Sequence, residues 1–153
     1  MIPIPSVGGI LIEDSSILLV KRKNHPCKGF WSIPGGRQKH GETAVDAVKR
    51  EILEETGLSV EPTGIYGIIE LIPRVKEQPH YVIIEFLLQR IGGSLRPGSD
   101  AEEVGFFQLT RLPDNTGRAT RELASDILRR INTGDTYLHS YCRYMVFEID
   151  SLC

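Results

Sequence analysis

Short apolar runs in the first part of the chain predict β-strands. Residues 7–12 and 17–22 are rich in Val, Ile and Leu, and the polar residues 13–16 between them predict a hairpin turn. A loop containing proline and glycine follows at 24–29, and residues 30–33 predict a further short strand that ends at Pro-Gly-Gly. The chain therefore begins with a small group of neighbouring strands.

The spacing of apolar positions becomes helical at residues 44–56, which predicts an α-helix. Thr43, followed three positions later by Asp46, resembles a capping box, and Gly57 suits the left-handed conformation of a helix C-cap. The apolar stripe of this helix is predicted to be Val45, Val48 and Ile52. Such a stripe would hold one face of the helix rigidly against a core.

The remaining patterns predict further strands and one later helix. They are an interrupted β-prone run at 60–71, a polar loop at 73–79, an apolar strand at 81–88, an acidic loop that enters a strand at 101–109, an amphipathic helix at 120–131 and a candidate final strand within 137–149. Because strands outnumber helices, the pattern predicts an α/β fold with a mixed β-sheet between the helix at 44–56 and the C-terminal helix.

Composition and charge limit the class of protein. The 153 residues are 41% hydrophobic and 25% charged, which is typical of one globular domain over residues 1–153. A net charge of −2 gives no electrostatic basis for binding a nucleic acid polymer. No apolar run is long enough to span a bilayer, and the N-terminus lacks the basic flank of a secretory signal. Cys27, Cys142 and Cys153 are scattered, which favours reduced thiols and a cytoplasmic location.

Three carboxylates in the predicted helix carry the clearest chemical signal. Glu51, Glu54 and Glu55 stand at positions i, i+3 and i+4, which share one helix face. Like charges at this spacing destabilise a helix unless a cation lies among them, and Mg²⁺ or Mn²⁺ prefers oxygen ligands. The alternative is an ordinary solvated acidic face. Together with the glycine turn before the helix, this acidic face favours a metal-binding site that acts on phosphates.

The complete segment 36–58 resembles the Nudix box, GX5EX7REUXEEXGU with U apolar, at every position. The resemblance implies an α/β/α sandwich and an enzyme that uses Mg²⁺ or Mn²⁺ to hydrolyse a nucleoside diphosphate linked to another moiety X. The expected products are a nucleoside monophosphate and phosphorylated X. The expected partner is therefore a small nucleotide substrate, and the family also suggests a homodimer.

The resemblance implies roles for individual box residues. Glu54 and Glu55 resemble the principal metal ligands, and Glu51 is similar to the carboxylate that binds metal or handles the proton of the attacking water. The backbone carbonyl of Gly35 resembles a further metal ligand. Arg50 resembles a residue that orients a glutamate through a charge-assisted hydrogen bond, and an ordinary helical ion pair with Glu54 is equally compatible.

Carboxylates outside the catalytic trio are harder to assign. Glu103, with Glu102 beside it, is the best candidate for completing the site, although it would equally suit a solvated acidic turn. Glu70 and Glu85 are weaker candidates, because each lies in a β-prone run and is expected to face solvent. Glu42 is either a more distant metal ligand or a first-turn acid favoured by the helix dipole.

Four residues are predicted to contact the substrate. Arg22, at the end of a strand, is similar in position to a basic residue that contacts phosphates in relatives, and Lys28 is a nearby cation. Phe30 and Tyr81 would stack on a base, although for Phe30 a place in the core is favoured.

The substrate is less constrained than the reaction. Pro73 lies 16 residues beyond Gly57, which is similar to the proline offset of ADP-ribose pyrophosphatases. This favours ADP-ribose or a related nucleotide sugar. The alternatives are a (d)NTP pyrophosphohydrolase that cleans the nucleotide pool and a nucleotide-binding module without turnover. The complete set of box carboxylates argues against the last.

Overall fold

The structure is a computed structural model that describes residues 2–98, 100–134, 142–151 and 153. The elements over these residues follow one another in a regular order. They are β1 (Ile4–Glu13), β2 (Ser16–Arg22), β3 (Trp31–Ser32), β4 (Gly35–Arg37), α1 (Ala44–Thr56), β5 (Leu58–Ile72), β6 (Tyr81–Gly93), β7 (Ala101–Gln108), α2 (Arg118–Asn132), β8 (Arg143–Glu148) and a short 3₁₀ turn (Ile149–Ser151).

The strands form a mixed sheet with β1 near its centre. Its main order is β3-β2-β1-β6-β5-β8, while β4 pairs with β1 and β7 pairs with β2. Strand β1 runs parallel to β6 and antiparallel to β2 and β4. Successive side chains of β1 enter different cores: Ile10 packs in the α2-side core and Leu11 in the α1-side core. The α/β/α sandwich predicted from the sequence is confirmed.

Helix α1 has the bounds that its capping signals predict. The Asp46 backbone N–H donates to Thr43 Oγ1 at 3.1 Å, and Gly57 closes the helix with φ of 74°. The predicted apolar stripe needs one correction, because Val45 is 43% exposed and Ala47 is buried in its place. The buried face is therefore narrow, and the acidic face lies beside it.

Two strands differ from the sequence prediction. Strand β5 continues through Pro62 and two glycines as one strand, because bulges at Ser59/Val60, Pro62/Gly64 and Ile65/Gly67 absorb the interruptions. Strand β4 was not predicted, since Gly35 and Gly36 have no side chains to give a β pattern. Of the predicted final strand, residues 143–148 are a strand and residues 137–141 lie outside the described part.

The cysteines also differ from the prediction. Cys27 and Cys153 form a disulfide with their Cα atoms 5.6 Å apart, so the prediction of reduced thiols is wrong for this pair. Their separation of 126 positions hides the pairing from the sequence. Cys142 is an exposed free thiol. No helix within the described residues is both long enough and apolar enough to cross a membrane.

One buried carboxylate joins α2 to the sheet. Asp126 accepts hydrogen bonds from the Tyr66 hydroxyl and from Arg143, and it forms ion pairs with Arg129 at 2.5 Å and Arg130 at 3.0 Å. Burial alone would raise the pKa of Asp126, but the hydrogen bonds from Tyr66 and Arg143 outweigh it and lower the pKa to about 2. The ionised carboxylate therefore stabilises the fold.

We expect Asp126→Asn to lower the free energy of unfolding at pH 7 by about 3 kcal/mol, because the buried Arg130 loses its counterion and the Tyr66 hydroxyl loses a charged acceptor. Since the folded pKa lies below the ordinary value, this contribution is present above about pH 4 and is lost as the pH falls toward 2. Urea denaturation across this range should show the two proteins converging. Glu122→Gln, which removes an exposed pair with Arg118, is the control and should cost less than about 1 kcal/mol.

Candidate active site

The acidic face of α1 lies against the glycine strand β4. The Gly35 backbone N–H donates to Glu55 Oε2 at 2.9 Å. A Cβ at Gly36 would lie 2.5 Å from the carboxyl carbon of Glu51, and one at Gly35 would lie 2.1 Å from the Val7 carbonyl oxygen. Two glycines therefore allow the strand to fit between β1 and the carboxylates, which brings backbone and acidic side chains together.

A single guanidinium holds the other acids of the box. Arg50 donates from Nε and Nη2 to both carboxylate oxygens of Glu42, at 2.7 and 2.9 Å. Its Nη1 donates to Glu51 at 2.6 Å and to Glu54 at 3.2 Å. Its Nη2 also donates to the Arg37 carbonyl at 3.1 Å. The sequence analysis predicted two alternative roles for Arg50, a hydrogen bond that orients a glutamate and a helical ion pair with Glu54. Arg50 makes both contacts.

Glu42 is fixed by these contacts. Hydrogen bonds from Arg50 and, secondarily, from the Lys39 backbone N–H lower the pKa of Glu42 to about 2. The carboxylate is therefore a partner of Arg50 in this structure. Glu42 precedes the N-cap residue Thr43, so the prediction of a first-turn acid is wrong, and its bidentate pair with Arg50 dominates its surroundings.

Glu55 lies apart from the arginine and is partly buried, unlike the exposed Glu54. Burial raises the pKa of Glu55 to about 7, the hydrogen bond from Gly35 acts in the opposite direction, and the nearby Glu51 carboxylate raises the pKa further. Arg22 is close enough to lower it, and Asp100 is close enough to raise it. The site therefore includes a cation and a carboxylate from outside the box.

The position of Asp100 follows from the loop that covers the C-terminus of α1. The backbone N–H groups of Arg96 and Gly98 donate to the last helical carbonyls, those of Thr56 and Glu55, both at 2.9 Å. This loop leads directly to Asp100 beside Glu55. The sequence did not indicate Asp100, because its approach depends on the loop rather than on any local pattern.

Glu103, the predicted outer carboxylate, is placed differently. It lies in β7 opposite Lys21, with which it forms an ion pair at 2.9 Å, and its side chain is 57% exposed. Its neighbour Val104 packs into the α1-side core, so alternation along the strand directs Glu103 to the other face. No described contact joins Glu103 to the carboxylates of α1. Asp100, which acts electrostatically on Glu55, is therefore closer to the α1 carboxylates than Glu103 is in its contacts.

A cavity of about 310 Å³ opens on the other side of β4. Three of the four predicted substrate residues, Arg22, Phe30 and Tyr81, line it, whereas Lys28 is exposed and does not. Arg37 also lines the cavity and was not predicted: its Nη2 donates to the Tyr81 hydroxyl at 3.2 Å, and its guanidinium lies 5.7 Å from the centre of that ring. Gly35 and Gly36 line the cavity too, so it adjoins the acidic face.

The donor chemistry fits a hard divalent cation. Carboxylate oxygens are concentrated on one helix face, and burial together with the neighbouring carboxylates Glu51 and Asp100 raises the pKa of Glu55, an effect that a bound cation would offset. Among the residues that the structure describes, no three His, Cys, Asp or Glu side chains are already gathered as a metal site. Glu51 and Glu54 are turned toward Arg50 instead, so a cation here would compete with that guanidinium for them.

Comparison with known proteins agrees with this architecture. The NUDIX domain family matches residues 3–127. An ADP-ribose pyrophosphatase of Methanocaldococcus jannaschii is 45% identical over 111 residues, 72% of this chain, and the human 8-oxo-dGDP phosphatase NUDT18 is 31% identical over 131 residues, 83% of this chain. The crystal structure of a MutT NUDIX hydrolase from Burkholderia pseudomallei superimposes with a TM-score of 0.76 at 31% identity, covering 83% of this chain and 99% of that one.

The chain belongs to the NUDIX family. Its match spans 65% of the archaeal protein and 37% of the human protein, so a large part of each relative has no counterpart in the alignment. The family membership predicted from the box is confirmed.

We expect Gly36→Ala to weaken Mn²⁺ binding by about tenfold, because the new Cβ would push the Glu51 carboxylate out of place. Titration followed by electron paramagnetic resonance measures the affinity directly. Gly92→Ala is the matched control, since a Cβ there meets nothing within 4 Å and the residue lacks the left-handed φ that penalises alanine. Equal affinity in the two folded variants would contradict a role for Glu51 in holding metal.

Proposed function

We propose that this protein is a pyrophosphohydrolase that cleaves a nucleoside diphosphate linked to another moiety, X, and releases a nucleoside monophosphate and phosphorylated X. The observation that carries the proposal is the junction at Gly35 and Gly36, where the acidic face of α1 and the cavity meet. A diphosphate at this junction would have its phosphates beside the carboxylates and its nucleoside in the cavity. Family membership supports the same reaction class.

The proposed catalytic residues are those of the box together with Arg22 and Arg37. Glu51, Glu54, Glu55 and the Gly35 carbonyl would hold Mg²⁺ or Mn²⁺, which neutralises phosphate charge and lowers the pKa of bound water. Arg50 orients Glu51 and Glu54 through its hydrogen bonds to both carboxylates.

Arg22 and Arg37 are the proposed phosphate ligands. Both line the cavity, and Arg22 acts electrostatically on Glu55. Each guanidinium would hold the diphosphate in line with an attacking water. Lys28 is not included, because its exposed side chain lies outside the cavity lining.

ADP-ribose or a related nucleotide sugar is the proposed substrate. The archaeal relative is named an ADP-ribose pyrophosphatase. Pro73 lies 16 residues beyond Gly57, an offset similar to that of ADP-ribose pyrophosphatases. A (d)NTP or oxidised-nucleotide substrate is the alternative, which relatives named 8-oxo-dGDP phosphatase and putative 8-oxo-dGTP diphosphatase support. A binding module without turnover is disfavoured by the complete box.

A homodimer and a cytoplasmic location are also proposed. Strand β8 lies at the edge of the sheet and exposes Tyr144 and Val146, which supports pairing with a second copy. The sequence argument for a cytoplasmic location from reduced thiols no longer applies, because Cys27 and Cys153 form a disulfide.

Product analysis separates the alternatives. The protein is incubated with Mg²⁺ and, separately, ADP-ribose, dinucleotides and dNTPs, and the products are resolved by chromatography. AMP from ADP-ribose is expected, whereas pyrophosphate from a dNTP would establish the alternative and inertness across the panel would favour the binding module. Glu54→Gln should slow turnover by about a thousandfold, because a charge that stabilises the reaction is lost. Glu61→Gln, which removes only an exposed partner of Lys49, is the control.

The outer carboxylate is tested by a pair of variants. We expect Asp100→Asn to lower kcat by about tenfold or more, because Asp100 acts on Glu55, whereas Glu103→Gln should leave kcat within about twofold. Steady-state kinetics with the substrate identified in the panel gives both values. The opposite ranking would restore Glu103 as the residue that completes the site.

A further inference from the structure

Two orphaned polar atoms line the same cavity. Among the described residues, four buried side-chain polar atoms have no hydrogen-bond partner, namely Ser32 Oγ, His80 Nε2, Glu85 Oε2 and Arg130 Nη1. Ser32 and Glu85 both belong to the cavity lining. Buried polar groups are nearly always hydrogen-bonded, because leaving one unpaired is unfavourable. The two groups therefore indicate a ligand that supplies the missing partners.

A glycine on the neighbouring strand leaves space for the Glu85 side chain. The residue is 5% exposed, and it lies on β6 directly opposite Gly8 of the neighbouring strand β1. A Cβ at Gly8 would lie 2.1 Å from Glu85 Oε2, so only glycine allows the carboxyl group to lie across β1. Burial raises the pKa of Glu85 to about 8. A largely protonated carboxyl group offers both a hydrogen-bond donor and an acceptor at neutral pH.

The surrounding surface selects the kind of ligand. Apolar side chains from two strands, Ile69, Leu71 and Ile83, line the cavity together with the aromatic ring of Phe30. Sugar hydroxyl groups placed against these apolar side chains would be left without partners, whereas Arg22 and Arg37, which line the same cavity, can pair with phosphate. A flat heterocycle with hydrogen-bonding groups only at its edge suits it, since its faces are apolar and its edge can reach the carboxyl group.

We propose that Glu85 hydrogen-bonds the polar edge of the substrate's nucleobase and so determines which nucleotide the cavity accepts, with Ser32 as a second contact to the same nucleoside. The inference rests on the proposed function, because it assumes that a nucleotide occupies the cavity with its phosphates at Gly35 and Gly36. For adenine, the exocyclic amino group donates to a carboxyl oxygen, and a ring nitrogen accepts from the carboxyl O–H. Glu85 is thus a specificity residue, separate from the carboxylates of α1.

Binding of AMP without metal tests this directly, because no turnover is involved. Isothermal titration of wild type, Glu85→Leu and Glu85→Gln with AMP should give an affinity at least about tenfold weaker for the leucine variant and within about threefold of wild type for glutamine, which keeps a donor and an acceptor. Ribose 5-phosphate, which lacks the base, should bind wild type and Glu85→Leu equally. Glu70→Leu is the matched control, since Glu70 lies in the next strand and bonds to Tyr144 outside the cavity.

A stability measurement separates this role from a structural one. In the free protein Glu85→Leu should melt no lower than wild type, because it removes a buried polar group that has no partner. Ser32→Ala is a second variant that changes little volume, and it should weaken AMP binding by about fivefold.

Several results would overturn the proposal. They are a wild type that does not bind AMP at millimolar concentration, a Glu85→Leu variant that keeps wild-type affinity, and a loss of ribose 5-phosphate binding equal to the loss of AMP binding. If Glu85→Leu does not fold, unchanged AMP affinity in Ser32→Ala and a large loss in Glu85→Gln would refute it. Failure of the proposed reaction would appear instead in the product analysis, which does not use these variants.

Discussion

The charge balance around Arg50 is the constraint on which the site depends. Four glutamates of the box would repel one another if they were left alone on and before one helix face. Arg50 offsets three of them, Glu42, Glu51 and Glu54, through donors in a fixed planar fork. Glu55 is left to the backbone of β4. Arg50 and the backbone of β4 thus fix the orientation of the acids in the folded protein.

The glycine strand β4 gives the molecule two distinct sides. On one side lie the carboxylates of α1, and on the other lies a cavity lined by apolar side chains, by polar ones such as Ser32 and Glu85, and by two arginines. In the proposed function, charge neutralisation and recognition of the nucleoside would therefore fall to different elements. Residues of the cavity come from strands β1 to β6 and from α2, and none of them lies in helix α1.

Local signals predicted the fold well where the determining residues are adjacent in sequence. Thr43, Asp46 and Gly57 fix the ends of α1 through contacts within a few positions, and the box gave the family. Strand β4 was not predicted, because its glycines have no side chains that could show an alternating pattern. Glu85 was expected to face solvent, since its burial depends on Gly8 in a strand that is distant in sequence.

The parallel pairing of β1 with β6 has a consequence for how the chain folds. It joins Ile4 to Tyr81 and continues to Leu11 and Leu88, so the central strand cannot complete its hydrogen bonds until more than half of the sequence is available. Contacts between such distant segments slow folding, because a long loop must close before they form. The hairpin of β5 and β6 is the natural template, on which the first strand docks late.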